Sequence, residues 1–332
     1  MSHQRRPLVI SALALLATPG IAFPQATERV YRIGVLGLAA PSTDARLFDA
    51  FVGELARRGY DQGRNLAFDV RYPGKDGRSL DVLAAELVAL RVDVIFTTSG
   101  TPGALAAKKA TTAIPIVMLS AAEPVRDGLI SSLARPGGNV TGNAIFGLEL
   151  LVKRLQLIAE AVGKPTRIAY LGSSRSLSMR HFAEYRTVLA ASAQAIGAQV
   201  QFEHVDSIEG LDTAFESMVQ QRVEALVLDN PGIFYVNSKR IAGLAAKHRL
   251  PAIADGRAFA EAGLLMTYGL DYVDLILKAA SYIDRILKGA NPGDLPVEQA
   301  TKFGMIVNLK TANALGLTVP RSLLLRADDM IQ

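Results

Sequence analysis

Three kinds of residue cluster in this chain could do binding chemistry: hydroxyl-rich turns, lone carboxylates after apolar runs, and a few aromatics near them. Thr97-Thr98-Ser99-Gly100-Thr101-Pro102 is the sharpest cluster. The apolar run VDVIF feeds it, and a helical pattern begins at Pro102. Thr101 then reads as an N-cap with proline in the first helical position. The N–H groups of such a helix start can receive an anion such as a carboxylate. Gly172-Ser173-Ser174 follows the run RIAYL and could approach the same molecule from another side. Ser120-Ala121-Ala122-Glu123 follows PIVML, Asp229-Asn230 follows EALVL, and Asp255-Gly256 follows PAIA. A carboxylate among Glu123, Asp229 and Asp255 could pair with an ammonium group. Ala39-Ala40-Pro41-Ser42 closes the first apolar run and belongs to the same set. Phe146, Phe234, Tyr235 and Tyr268 lie near strand ends or crossovers, where a ring could stack on a bound molecule.

Catalytic signatures are not found. Gly34-x-x-Gly37 has the wrong spacing for a dinucleotide turn. No phosphate loop and no G-x-S-x-G nucleophile elbow occur. Beyond the first 26 residues the histidines are His181, His204 and His248, at no metal-ligand spacing. The expectation is therefore binding without catalysis, metal or cofactor.

These turns need elements to hold them. Strands are expected at Tyr31–Leu36, Asn65–Tyr72, Val92–Thr97, Pro115–Leu119 and Asn139–Gly142. Helical patterns lie between them at about Asp44–Gly59, Ser79–Leu90 and Pro102–Thr112. The period alternates between 2 and 3.6, the mark of βαβ units. Runs such as VDVIF are apolar on both faces, as a covered parallel sheet requires. The pattern restarts with a helix at Leu148–Val162. Strands follow at Arg167–Leu171, Gln199–His204, Ala225–Asp229 and Pro251–Ala254, again alternating with helices. The tail holds a helix at Val273–Lys288, a linker at Pro292–Pro296, then Met305–Leu309 and a short helix. The fold class expected is α/β: two doubly wound parallel-sheet lobes joined by a crossover hinge. One lobe spans 29–143 with part of 268–290. The other spans 147–266 with part of 300–332. All the polar turns above then lie at carboxyl ends of strands, where open α/β sheets bind ligands.

The bulk numbers agree. The chain has 332 residues, 50% hydrophobic and 20% charged, enough for two cores of ordinary size. Residues 1–26 read as a secretory signal peptide: Arg5-Arg6, the uncharged run Leu8–Ala17, then small residues to Ala22 and Ala26. That run is too short to span a bilayer. There is no cysteine, so a lipid-anchored form is excluded and no disulfide is needed. The formal charge is +5 with scattered basic residues, and no basic stripe marks a nucleic-acid face.

Three stretches carry a resemblance over nearly the whole chain after residue 26. They are AIPIVM…SLARPGGNVTG (from Ala113 to Gly142), KRIAGLAAKHRLPAIA (Lys239–Ala254, continued by AGLLMTYG), and DLPVEQATKFGMIVNLKTANALGL (Asp294–Leu317). The chain resembles the ABC-type substrate-binding family related to the tryptophan and aromatic-amino-acid-binding proteins, of the type I periplasmic binding fold. The family's glycine-threonine-proline turn stands here as Gly100-Thr101-Pro102. The chain departs at Glu123-Pro124, where members often carry Asp-Pro, and at Ala254-Asp255. The resemblance implies two lobes joined by crossovers, a cleft for a small organic solute, and an ABC permease of the inner membrane as partner. The signal peptide without a cysteine implies a mature chain free in the periplasm, and a monomer is expected there. A periplasmic sensor presenting the same kind of solute to a membrane receptor is the alternative.

Overall fold

The computed structural model describes residues 29–38, 45–74, 77–173, 181–229 and 232–332. The expected signal segment, residues 1–26, and the site candidates Ala39, Ala40, Ser174 and Asn230 lie outside them.

In chain order the first half gives β1 (Tyr31–Leu36), α1 (Ala45–Arg57), β2 (Leu66–Arg71), α2 (Leu80–Ala89), β3 (Val94–Thr97), α3 (Gly100–Ala110), β4 (Ile116–Ala122) and β5 (Val140–Ile145). The second gives α4 (Gly147–Val162), β6 (Arg167–Gly172), α5 (Phe182–Ala195), β7 (Gln199–His204), α6 (Gly210–Gln220), β8 (Ala225–Leu228), α7 (Gly232–Val236), α8 (Ser238–Lys247), β9 (Ala252–Ala254), α9 (Arg257–Ala262) and β10 (Met266–Leu270). The remainder gives α10 (Tyr272–Leu287), a 3-10 turn at Pro292–Asp294, β11 (Glu298–Gln299), β12 (Phe303–Asn308), α11 (Leu309–Leu315), α12 (Arg321–Leu324) and β13 (Asp329–Ile331).

The strands form two sheets, ordered β11-β5-β4-β3-β1-β2 and β13-β12-β10-β9-β8-β6-β7. Within them β2-β1-β3-β4-β5 and β7-β6-β8-β9-β10 repeat one winding. The strand order therefore reverses between β1 and β3 in one sheet and between β6 and β8 in the other. Every pairing is parallel except β10 with β12, which is antiparallel. The parallel sheet expected for the second lobe is thus mixed at one pair. A chain that returns from the first lobe enters from the opposite end, so β12 runs against its neighbour.

Alternation of side chains along each strand fills a core on both faces. In β3, Val94 and Phe96 enter the core shared with α1 and α10, while Ile95 enters the core beneath α2 and α3. In β6, Ile168 and Tyr170 pack with α4, and Ala169 and Leu171 pack with α6 and α8. This is why these runs are apolar at every position.

The chain passes between the sheets at three places. β5 leads through Phe146 into α4, which packs on the second sheet. β10 leads through Asp271 into α10, which packs on the first. β11 pairs with β5 and the chain then returns to β12. The last two passages are tied together: Asp271 N–H donates to the Lys302 carbonyl at 3.0 Å, and Asp274 takes Lys302 at 2.6 Å and Lys278 at 3.1 Å.

Candidate functional site

The carboxyl edges of the two sheets face each other across one cleft of about 990 Å³. The two strand-order reversals open onto it, since Gly37 and Leu38 follow β1, Thr98 to Pro102 follow β3, Ser173 follows β6 and Asp229 follows β8. Such a reversal splays the chain connections to opposite faces and leaves a crevice between them. The volume is in the range of small-molecule sites.

On the first lobe the turn after β3 is held by its own hydroxyls. The helix starts at Gly100, two residues before the position expected from Pro102, and Ser99 occupies the N-cap position without a side-chain cap. Thr101 is therefore not the N-cap. Its hydroxyl is fully buried and donates to the Ala122 carbonyl at 2.9 Å. Ser99 Oγ donates to the Leu36 carbonyl at 3.0 Å, and Thr97 Oγ1 accepts from Ser99 N–H at 3.3 Å. These bonds fasten the turn to the ends of β1 and β4. Gly100 sits at φ +62°, and a Cβ on Gly103 would lie 2.4 Å from Thr97 Oγ1. Glycine is thus needed at both positions to bring α3 against the strand end. What the turn offers the cleft is the start of an eleven-residue helix, with the donors that no intrahelical acceptor takes. Pro102 removes one of them.

The facing wall is acidic and hydroxylated. Ser173 Oγ donates to Asp206 Oδ1 at 2.9 Å. Asp206 and Asp229 both line the cleft, as do Tyr185 and Tyr235. Burial pushes the Tyr185 phenol up, and the charges of Asp229 and Glu123 add to the rise. The Tyr185 hydroxyl therefore stays protonated beside these carboxylates.

The floor carries a buried ionic group. Asp255 is 3% exposed. Its Oδ2 accepts from the Tyr272 hydroxyl at 3.0 Å and lies 3.4 Å from Arg154 Nη2, and its Oδ1 accepts from Leu270 N–H at 3.3 Å. Arg154 Nε donates to the Tyr268 carbonyl at 2.7 Å. Burial and the Asp255 charge hold the Tyr272 phenol well above its ordinary range. The group joins α4, the turn after β9 and the start of α10, the segments on either side of two inter-lobe passages.

Of the residues expected from the sequence, Ser99, Gly100, Thr101, Ser120, Ser173, Asp229 and Asp255 line this cleft. Glu123, Gly172 and Tyr268 do not. Glu123 turns the chain away from β4 at φ +50°. Gly172 ends β6 buried, where a Cβ would meet the Tyr170 ring at 2.7 Å. Tyr268 stacks on Phe303 at 6.2 Å and borders a separate hollow beside the passages between lobes. Phe234 is a core residue, whereas Tyr235 reaches the cleft. Arg154, Tyr185, Asp206 and Tyr272 are cleft residues that sequence reasoning missed. Asp206 had a usable signal, since it follows β7 as Asp229 follows β8.

Two lobes of one winding, closing their carboxyl edges on a single cleft, define the type I periplasmic binding class of protein. Within that class the chain belongs to the ABC transporter substrate binding protein family, whose model matches residues 35–331. Proteins of this family bind small-molecule solutes and work with a transporter; they are not enzymes. They are typically extracytoplasmic, and no helix among the described residues is long and apolar enough to cross a membrane. The chain is 27% identical over 297 residues to a tyrosine-binding protein of Clostridioides difficile, covering 88% of this chain and 82% of that one. It is 26% identical to the crystal structure of an ABC domain in complex with L-Trp from Streptococcus pneumonia. That match has a TM-score of 0.80 and covers 91% of this chain and all of that one. A conserved domain protein from Vibrio cholerae has the same fold, with a TM-score of 0.80 at 24% identity over 91% of this chain and all of that one.

Proposed function

We propose that this chain is the exported solute-binding component of an ABC importer, taking an amino acid, aromatic ones foremost, into the inter-lobe cleft and delivering it to an inner-membrane permease. The observation that carries this reading is the polarity of the cleft. The helix start of α3 faces it from the first lobe, and Ser173, Asp206 and Asp229 face it from the second. Helix N-termini favour anions, and carboxylates favour ammonium groups. An α-amino acid carries one of each and would bridge the lobes. Apolar rings on the first-lobe side, Phe48 and Phe51, leave a place for an apolar side chain. The tyrosine-binding and L-Trp-bound relatives support the same solute class.

Ser99, Gly100, Thr101, Ser120, Ser173, Asp229 and Asp255 are proposed to shape the site, with Asp206 beside Ser173. A solute touching both lobes favours their closed arrangement, and that arrangement would dock on the permease. The apolar run Leu8–Ala17 behind Arg5-Arg6 supports export to the periplasm. A thermal-shift screen of the chain from Thr27 onward against the common amino acids tests the reading. A solute at 100 times its Kd adds about 2.7 kcal/mol of stability, a readable rise in Tm. A rise with no amino acid, but with some other solute class, would overturn the amino-acid assignment.

A further inference from the structure

Outside the cleft, the two lobes meet through polar and charged side chains at its rim. Arg126 Nη1 lies 2.5 Å from Glu184 Oε2, and His181 Nε2 lies 3.2 Å from Asp127 Oδ1. Arg126 and Asp127 belong to the turn after β4 in the first lobe. His181 and Glu184 stand at the start of α5 in the second. The pairing is reciprocal: a cation and an anion adjacent on one lobe meet an anion and an imidazole three residues apart on the other. Reciprocal pairs fix an angle of approach as well as an attraction, because sliding one lobe would bring like charges together.

The turn that carries Arg126 and Asp127 is built for rigidity. Glu123 takes a left-handed backbone, φ +50°, which non-glycine residues adopt only when their surroundings enforce it. Asp127 N–H donates to the Glu123 carbonyl at 2.9 Å, Gly128 N–H to Val125 at 3.1 Å, and Leu129 N–H to Pro124 at 2.8 Å. Lys108, in the last turn of α3, donates to the Gly128 carbonyl at 2.6 Å and the Leu129 carbonyl at 3.1 Å. The turn is therefore anchored to the helix whose other end opens on the cleft. The Asp127 side chain is 3% exposed and the His181 side chain 11%, so this contact is shielded from water more than the Arg126–Glu184 pair.

We propose that the turn Glu123–Gly128 is an inter-lobe latch that holds the closed arrangement through Arg126–Glu184 and Asp127–His181, independently of which solute the cleft takes. The Glu123-Pro124 pair then serves the fold rather than the solute, because it sends the chain out of β4 toward the other lobe. The latch sets how often the cleft closes without solute, and so the fraction of molecules ready to retain one.

The sequence has no cysteine, which makes lobe motion directly measurable. Val82 in α2 and Val219 in α6 are about half exposed, one on each lobe. Cysteines at these two positions, spin-labelled in the solute-free protein, report the lobe separation by double electron–electron resonance. The expected result is a short-distance population that falls about two- to five-fold in Arg126→Glu, the size of effect an exposed pair gives. The double variant Arg126→Glu/Glu184→Arg restores it, and Asp127→Asn lowers it as well. A distribution unchanged by Arg126→Glu, a swap that restores nothing, or a wild type with no short-distance population would each overturn the latch. The readout needs no solute, so it stands or falls apart from the amino-acid assignment.

Discussion

Asp255 fills the space that a side chain at position 269 would need: a Cβ on Gly269 would lie 1.4 Å from Asp255 Oδ1. The glycine of β10 is thus what allows a carboxylate to lie against the strand, within reach of Arg154 and Tyr272. Removing one partner of a buried ion pair leaves the other charge uncompensated. Asp255→Ala is expected to cost about 3–5 kcal/mol, read as a lower denaturant midpoint. Gly269→Ala should destabilise through the same group, because the carboxylate must leave its partners to admit the methyl. A Gly269→Ala protein as stable as the wild type would show that Asp255 has another place to go.

Tyr60 makes a prediction about pH. Its hydroxyl donates to Asp284 Oδ1 at 3.1 Å, and burial with that hydrogen bond pushes its pKa up to about 12. A tyrosine in the unfolded chain titrates near 10. The folded state therefore keeps this proton after the unfolded state has lost it. The stabilisation is fully present below about pH 10 and disappears as pH rises toward 12. Unfolding measured across this window should show stability falling with pH, with a shallower fall in Tyr60→Phe. Identical slopes in the two proteins would assign the alkaline loss to other groups.

Thr101 divides stability from binding. Its hydroxyl is used within the first lobe, on the Ala122 carbonyl. Thr101→Val keeps the shape and leaves that carbonyl without its donor, at a cost of about 1–3 kcal/mol. Tm should fall, while Thr101→Ser should stay near the wild type. A Thr101→Val protein of unchanged Tm would mean that the carbonyl finds another donor.

Asp229 is expected to matter for the solute more than for the fold. It stands at the end of β8, half-buried, facing the cleft. Hydrogen bonds to charged groups contribute about 1.5–3 kcal/mol, so Asp229→Asn should weaken amino-acid binding by about 10- to 100-fold. Calorimetry on a solute and on its analogue lacking the amino group would separate this from a general loss. An equal loss for both would remove Asp229 from the ammonium role.

The positions of the strands were legible because a strand covered on both faces has to be apolar throughout, and such runs are easy to see. Tyr31–Leu36 and Gln199–His204 have the bounds that their runs suggest. β4 runs three residues past Leu119. Its register against β5 shifts between Met118 and Ala121, and Ser120-Ala121-Ala122 carries no strand signal. β11 is two exposed residues, Glu298-Gln299, with no apolar residue to mark it. The same logic divides the site. Turns after strands could be placed because strand order dictates where their ends lie. Arg154 and Tyr185 could not: both sit on helices among buried apolar neighbours, where spacing alone does not tell a cleft-lining residue from a core one.

Titration calorimetry shows whether the cleft between the lobes captures an amino acid. L-tyrosine and L-tryptophan would be titrated into the wild type and into Ser120→Trp, which fills the cleft from the end of β4. Saturable one-to-one binding to the wild type is expected, and none to Ser120→Trp at unchanged fold. Binding that survives the filled cleft would place the solute elsewhere, and a wild type silent to both would contradict the aromatic amino acid assignment.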